Sequence, residues 1–291
     1  MILQELLTKA QNLQPGQYLH SHLLETVTMG DGFGRLPLGP LVDGKRFRFL
    51  ALRNLTANLV ADTAAEVRKL RPGNVAIDQR PGAVPYEMLA RLVTTLDHHP
   101  VNIADVLPVF SVNDLIASWI WFHYEREAGT ILFKDVTCQH CGASPENLVA
   151  YLDTTKISCV VVGDDEQPCA ILRMKRPLEV RGARVEYLVL QPPTYLDCFY
   201  PLPEAVMQSG HANKHVVCAA ITHALPALSV DPASHKVRLT TEEVGGFHIV
   251  DVNGCTRAID GFGKVEQTIS FVCPACSKGN SMEVDWLNKG F

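Results

Sequence analysis

The sequence predicts an α+β protein built from two similar modules. Each runs strand, helices, strand, Cys-x-x-Cys knuckle, strand; a strand-rich bridge joins them, and a pseudo-twofold arrangement is stabilised by zinc. Three observations carry this expectation. First, Cys138/Cys141 and Cys273/Cys276 form two Cys-x-x-Cys knuckles, each preceded by a short apolar, strand-like run, Ile131–Val136 and Thr268–Val272. Second, each knuckle is followed by an aromatic–Leu pair, Tyr151-Leu152 and Trp286-Leu287, and the blocks lie at one offset (273 − 138 = 286 − 151 = 135). Third, strand-like runs opening at Gly44 and Gly182 precede the blocks at nearly the same offset (182 − 44 = 138).

Residues 1–43 read as an N-terminal arm that docks on a neighbour. Ile2, Leu3, Leu6 and Leu7 have helical spacing, with an early Glu5 that argues against a signal peptide. Pro15-Gly16 ends this helix, and Gly30-Asp-Gly-Phe-Gly34 opens a Gly- and Pro-rich loop. That loop lacks the flanking strand, helix and lysine of a phosphate-binding loop.

The first module spans residues 44–157. Lys45–Leu52 reads as a half-buried strand, and Thr56 can cap a helix to about Leu70, stopped by Pro72-Gly73. A second helix is expected over Tyr86–Leu96. Ser111 caps a third, with Leu115, Ile116, Trp119, Ile120 and Tyr124 on a broad apolar stripe and Gly129 as its stop. Strands Ile131–Val136 and Leu148–Leu152 then flank the first knuckle. A bridging hairpin is expected over 158–181, where Cys159–Val162 and Cys169–Leu172 flank a Gly163–Glu166 turn.

The second module spans residues 182–291. Its opening strand is the run Gly182–Leu190. Thr194 caps a helix cut short by Pro201 and Pro203, and a further helix covers Asn213–Leu225. A helix beginning at Thr241 is weakened by Gly245, Gly246 and Gly254. Strands Thr268–Val272 and Met282–Leu287 flank the second knuckle.

Bulk properties exclude several classes. A net charge of −5 opposes a protein whose main task is gripping duplex phosphate. No window approaches the apolar run of a membrane helix. Nine cysteines, four of them in Cys-x-x-Cys pairs, fit metal binding in a reducing compartment better than a secreted disulfide framework.

Zinc in closed structural sites takes four tetrahedral ligands, and a Cys-x-x-Cys turn supplies two. Cys138, Cys141, Cys273 and Cys276 together make a full set, provided the fold brings them together across a separation far longer than a local zinc ribbon. The alternatives are two separate or partner-completed sites, or no metal, with free thiols or a disulfide. His140, Cys159 and Cys169 could complete a site at the first knuckle; only Cys255 is near the second, and this asymmetry favours a shared ion. Cys159, Cys169, Cys198, Cys218 and Cys255 otherwise read as small buried hydrophobes. His98, His99, His211, His215 and His223 read as surface or core histidines, and Asp164-Asp165-Glu166 as a solvated turn. No Ser–His–Asp order, Walker motif or Rossmann fingerprint is present, so no catalytic residue is assigned.

The strand Gly44-Lys-x-x-x-Phe49-x-x-Leu52-Arg53 is followed by Leu55-Thr56 and a helix, the segment Val109-Phe-Ser-Val-Asn-Asp114-Leu, and Cys-x-x-Cys-Gly. Over about residues 40–157 this resembles the baseplate-hub and tail-assembly proteins of contractile-tailed bacteriophages (Mu-like and T-even types). Residues 182–291 carry a fainter imprint, and two modules in one chain depart from the single-module form. The resemblance implies a non-enzymatic tail component, a hub part or an assembly chaperone. It would bind other phage tail and baseplate proteins or self-associate, in the host cytoplasm during assembly or in the virion. The competing expectation is a zinc-ribbon nucleic-acid-binding protein. The acidic balance opposes it, while Lys45-Arg46-Phe-Arg48 and Arg173-Met-Lys175-Arg176 are basic patches in its favour.

Overall fold

The computed structural model describes residues 2–27, 34–69, 82–127, 130–133, 136–144, 148–151, 157–199, 212–265 and 267–286. Most of the Gly30–Gly34 loop, the Pro72-Gly73 and Gly129 helix stops, Pro201, Pro203, His211, and Leu152 and Leu287 of the aromatic–Leu pairs lie outside them. The chain is a mixed α+β structure with several antiparallel sheets.

In the first half, strand Phe49–Leu52 lies between Gly34–Arg35 and Val93–Leu96, and His99–Pro100 completes the sheet. The expected single strand Lys45–Leu52 is two pieces: Lys45–Arg46 turns back on Leu41–Val42 before Phe49–Leu52 begins. Asp43 and Gly44 take φ of 50° and 75°, the backbone that a tight two-residue hairpin turn requires. Helix Ala57–Lys69 starts where the Thr56 hydroxyl accepts the Leu59 N–H at 3.2 Å. Helix Val112–Glu127 starts at a reciprocal cap: Asp114 N–H donates to Ser111 Oγ and Ser111 N–H to the Asp114 carboxylate. Leu115, Trp119, Ile120 and Phe122 are buried on that helix, against Leu50, Met88 and Leu89.

The expected helix over Tyr86–Leu96 runs Ala83–Leu92 and then becomes strand Val93–Leu96 without a break. Likewise Asn213–Leu225 divides into helix Ala212–Ala220 and strand Ile221–Leu225. In both cases β-branched residues (Val93, Thr94, Thr95; Ile221, Thr222) stand at the switch. A neighbouring strand supplies the ladder that a helix would otherwise supply internally.

The second sheet runs in the order Tyr18–His20, Ala170–Val180, Ala183–Leu190, Ile221–Leu225, all antiparallel. Arg181 and Gly182, at φ 52° and 81°, form its tight turn and repeat the Asp43-Gly44 geometry. Strand alternation covers both faces. Ala170, Leu172 and Met174 face one core with helices Ala212–Ala220 and Ile249–Asp260. Cys169, Ile171, Tyr187 and Val189 face another, closed by Leu6, Leu7 and Ala10. Helix Ile249–Asp260 runs straight through Gly254, contrary to expectation. A Cβ there would lie 3.1 Å from Leu172 Cδ1, so the glycine serves close helix–sheet packing.

Two expectations are corrected here. Ile157–Val161 and Ala170–Val180 do not pair as a bridging hairpin. The former lies between Leu23–Val27 and Lys264–Val265, and the latter belongs to the second sheet. Their apolar residues enter different cores, Ile157 and Cys159 the first, Ala170 and Leu172 the second, which pulls the two strands apart. Nor are the described residues of the N-terminal arm detached from the body, although Leu23 and Leu24 among them remain exposed. Helix Ile2–Lys9 and strands Tyr18–His20 and Leu23–Val27 pack on this chain itself.

A third sheet holds both knuckle hairpins, in the order Gly279–Glu283, Thr268–Val272, Leu148–Tyr151, Thr130–Phe133. The inner strands meet antiparallel at Tyr151↔Ser270. The last strand is Gly279–Glu283, not Met282–Leu287, because the second knuckle turns within its own loop and delivers the chain to the ladder at once. Ile269, Phe271, Val284 and Trp286 are buried in the same core as Trp119 and Phe122, so the second hairpin rests on the first half of the chain.

Candidate metal centre

Each knuckle is a tight loop at the tip of a β-hairpin. In the first, Cys138 N–H donates to the Ala143 carbonyl (2.8 Å) and Gly142 N–H to the Cys138 carbonyl (3.0 Å). In the second, Cys273 N–H donates to the Lys278 carbonyl (3.0 Å) and Ser277 N–H to the Cys273 carbonyl (2.8 Å). Gly142 and Ser277 occupy the same place in each loop with positive φ, 71° and 59°. A glycine takes that backbone freely; Ser277 takes it at a cost.

The edge-to-edge pairing of the hairpins brings the loops tip to tip. Cys138 Sγ lies 3.7 Å from Cys276 Sγ, and Cys141 Sγ lies 3.8 Å from Cys273 Sγ; all four sulfurs lie within 4.8 Å of one another. A tetrahedron with metal–sulfur bonds of about 2.3 Å has S···S edges of about 3.8 Å, so the spacing suits one ion held by four thiolates. No disulfide joins them. Cys138 and Cys273 are buried, Cys276 is half-buried and Cys141 is exposed, so the cluster lies at the surface with its inner side covered.

The setting differentiates the thiols. Burial pushes the Cys138 thiol up, but the backbone N–H groups of His140 and Cys141 and the thiols of Cys141 and Cys273 together outweigh it and bring it down to about 6. The backbone hydrogen bond at Ala143 favours the Cys141 thiolate, yet burial and the three neighbouring sulfurs win and push its thiol up to about 12. Four thiols this close cannot all ionise unless a cation joins them.

The other candidate ligands are employed elsewhere. His140 directs Nε2 to the Gly279 carbonyl (3.0 Å), Cys159 Sγ faces the Leu36 carbonyl, and Cys169 lies beneath the N-terminal helix. Cys255 is buried in the second core, and Cys198 in the first. Gln139 Nε2 donates to the Ser281 carbonyl, so the first knuckle covers part of the outer edge of Gly279–Glu283 with side chains rather than with another strand.

Asn280 was not singled out from sequence. Its Oδ1 accepts the Gln139 N–H (3.0 Å) and lies 3.4 Å from Cys138 Sγ, while Nδ2 donates to the Lys278 carbonyl (2.9 Å). One buried amide thus ties the two loops together beside the sulfurs. Only its position four residues after Cys276 could have hinted at this.

Comparison with protein-family models, curated proteins and solved structures finds no match.

Half of the basic-patch residues are committed internally, and Lys45 is exposed. Arg46 is buried and donates to the Gly39 carbonyl (2.6 Å); Arg48 donates to the carbonyls of Val160 (3.1 Å) and Val162 (2.8 Å). Arg173 donates to the Leu13 carbonyl, while Lys175 and Arg176 are exposed. The buried Asp114 carboxylate organises the same region, accepting the N–H groups of Leu38, Gly39 and Ser111 and the Ser111 hydroxyl. Burial pushes its carboxyl upward against those donors. Among the described residues no helix is long and apolar enough to cross a membrane.

Proposed function

We propose that this protein is a non-enzymatic structural or assembly component of a phage tail or baseplate hub, binding other tail proteins, with a structural zinc ion held by Cys138, Cys141, Cys273 and Cys276. The observation that carries the structural reading is the convergence of four sulfurs from distant hairpins at tetrahedral spacing. Four thiolates fill the coordination sphere of zinc and leave no position for substrate, which favours a structural over a catalytic ion. The tail assignment itself comes from the resemblance of residues 40–157.

The chain reads as a duplicated module clasped by that ion. In support, the order strand, helix, helix running straight into strand, helix, knuckle hairpin recurs in both halves. The positive-φ turns at Asp43-Gly44 and Arg181-Gly182 recur with it, as do those at Gly142 and Ser277. The sheet order does not support the expected pseudo-twofold. The inner strands, Leu148–Tyr151 after its knuckle and Thr268–Val272 before its own, are not equivalent in the two copies, so the hairpins repeat side by side with both knuckles at one end.

The nucleic-acid reading is the weaker one. Arg46 and Arg48 are occupied by backbone carbonyls, and the net charge is −5. Affinity purification of the tagged chain from phage-infected cells, with mass spectrometry of its partners, tests the proposal. Recovery of tail or baseplate proteins supports it. Recovery of none, together with tight salt-sensitive DNA or RNA binding, replaces it with the nucleic-acid reading.

A further inference from the structure

His20 and His22 stand on the same face of the N-terminal segment, their ring centroids 4.8 Å apart, and both reach the C-terminal end of helix Ile249–Asp260. His20 Nε2 lies 2.8 Å from the Ala258 carbonyl, and His22 Nε2 lies 2.9 Å from the Gly261 carbonyl. A carbonyl only accepts, so each Nε2 carries the proton and each neutral ring leaves Nδ1 bare. Nδ1 of His22 is buried with no hydrogen-bond partner among the described residues. Phe262 stacks on His22 and meets His20 edge-on. Gly261 leaves no spare room, since a Cβ there would lie 2.3 Å from His20 Cε1.

We propose that His20 and His22 form an acid-sensitive latch that holds the N-terminal segment, residues 2–27, on the body of the protein at neutral pH and releases it when the rings take up protons. Protonation puts a second N–H on each ring. On His22 that N–H points into a buried space without an acceptor, and two positive rings then stand side by side. A cation near helix-terminal carbonyls is ordinarily favourable, but here both carbonyls already receive Nε2–H in the neutral state. Burial first, and for His22 also the neighbouring His20, hold both imidazoles below the ordinary value, His22 at about 4; the backbone carbonyls oppose this without reversing it.

The surrounding groups do not counter the effect. Tyr18 lies edge-on to His20 from the same strand, and Cys169, on the neighbouring strand, donates its N–H to Ser21. On the helix, Asp251 is taken by the N–H groups of Lys175 and Arg176, Arg257 is exposed, and Asp260 is exposed and acts with Lys264. Among the described residues, the charge that acts on His22 is His20. Because the docked values are lowered, the released segment binds more protons. Docking is therefore complete above about pH 6.5 and weakens as pH falls toward 4, by up to about tenfold per pH unit for each ring. Partial exposure of both rings reduces that slope.

Release uncovers Cys169, which is 3% exposed beneath Leu6, Leu7 and Ala10. The test is the labelling rate of Cys169 with 4,4′-dithiodipyridine between pH 7.5 and 5, read by peptide mass spectrometry. Rates are normalised to the unfolded chain at each pH, with buried Cys198 and Cys255 as monitors of global opening. The latch predicts a rise of about tenfold or more at Cys169 alone. His20→Gln/His22→Gln, which keeps a donor in each place but cannot titrate, is expected to be flat. No rise in the native chain, an equal rise at Cys255, or the same rise in the double variant overturns the proposal; loss of the metal centre in acid acts equally on both proteins. Should the double variant fail to fold, imidazole titration by NMR decides: values at or above 6.5 for both rings overturn it.

Discussion

Replacing Cys273 with serine removes one of four sulfurs from the inner, buried side of the metal centre. Serine is a poor zinc ligand at neutral pH, and the three remaining thiols no longer close the sphere. A single shared site then predicts one zinc per native chain and close to none in Cys273→Ser. The energetic consequence follows from topology. The ion links the tips of two hairpins separated by about 130 residues, and constraining an unfolded chain across that span is worth about 5 kcal/mol in the chain-entropy description. Residual metal binding by the unfolded chain reduces this figure. With a urea slope of about 2–3 kcal/mol/M, the midpoint falls by about 1.5–2.5 M. Metal content by plasma mass spectrometry, native mass spectrometry and urea titration measure the three quantities. Two zinc ions per native chain, or one retained by Cys273→Ser, would refute the shared site. An unchanged midpoint after loss of the ion would refute the clasp.

Four further outcomes are expected. Asp114→Ala strands the buried N–H groups of Leu38, Gly39 and Ser111, which costs about 3 kcal/mol or more by urea denaturation; a loss under about 1 kcal/mol contradicts its role in holding that turn. Trp286→Ala empties a fully buried site between the second hairpin and the Val112–Glu127 helix, costing about 3–5 kcal/mol on the same assay. Gly39→Ala places a Cβ 1.9 Å from the Phe47 carbonyl oxygen at φ +77°, so this variant is expected to be destabilised well beyond the roughly 1 kcal/mol of an ordinary glycine replacement. The Arg181 guanidinium, and after it the Thr240 N–H, hold the Glu243 carboxyl down at about 2. Its contribution is thus present above the ordinary glutamate value and lost as pH falls from there toward 2; in Arg181→Ala, carboxyl titration by NMR is expected to move back toward the ordinary range.

Local chemistry in the sequence was sufficient for the pieces. Thr56, Ser111 and Thr194 cap the helices that follow them, because a hydroxyl accepting the N–H two or three residues on is decided within one turn of chain. The knuckles lie between strands for the same reason: Cys-x-x-Cys with a positive-φ residue closes its own loop. The constant offset of 135 residues also made four sulfurs the natural ligand set, and they are the ones brought together.

Tertiary structure decided what those pieces meet. Tyr86–Leu96 and Asn213–Leu225 have helical spacing throughout, yet their last residues are strands because Phe49–Leu52 and Ala183–Leu190 offer open edges beside them. Gly163–Glu166 is turn-like, but its flanking strands enter separate cores. The N-terminal segment looks unattached in sequence because the surfaces it covers, Ile171, Val189 and the end of helix Ile249–Asp260, lie far along the chain. Asn280 and Asp114 hold contacts 141 and 76 residues away, and nothing in their immediate neighbours specifies those partners. Capping and turn formation draw on groups a few bonds apart. Pairing, burial and ligand assembly depend on which distant surfaces can exclude water together, and that is settled only when the whole chain packs.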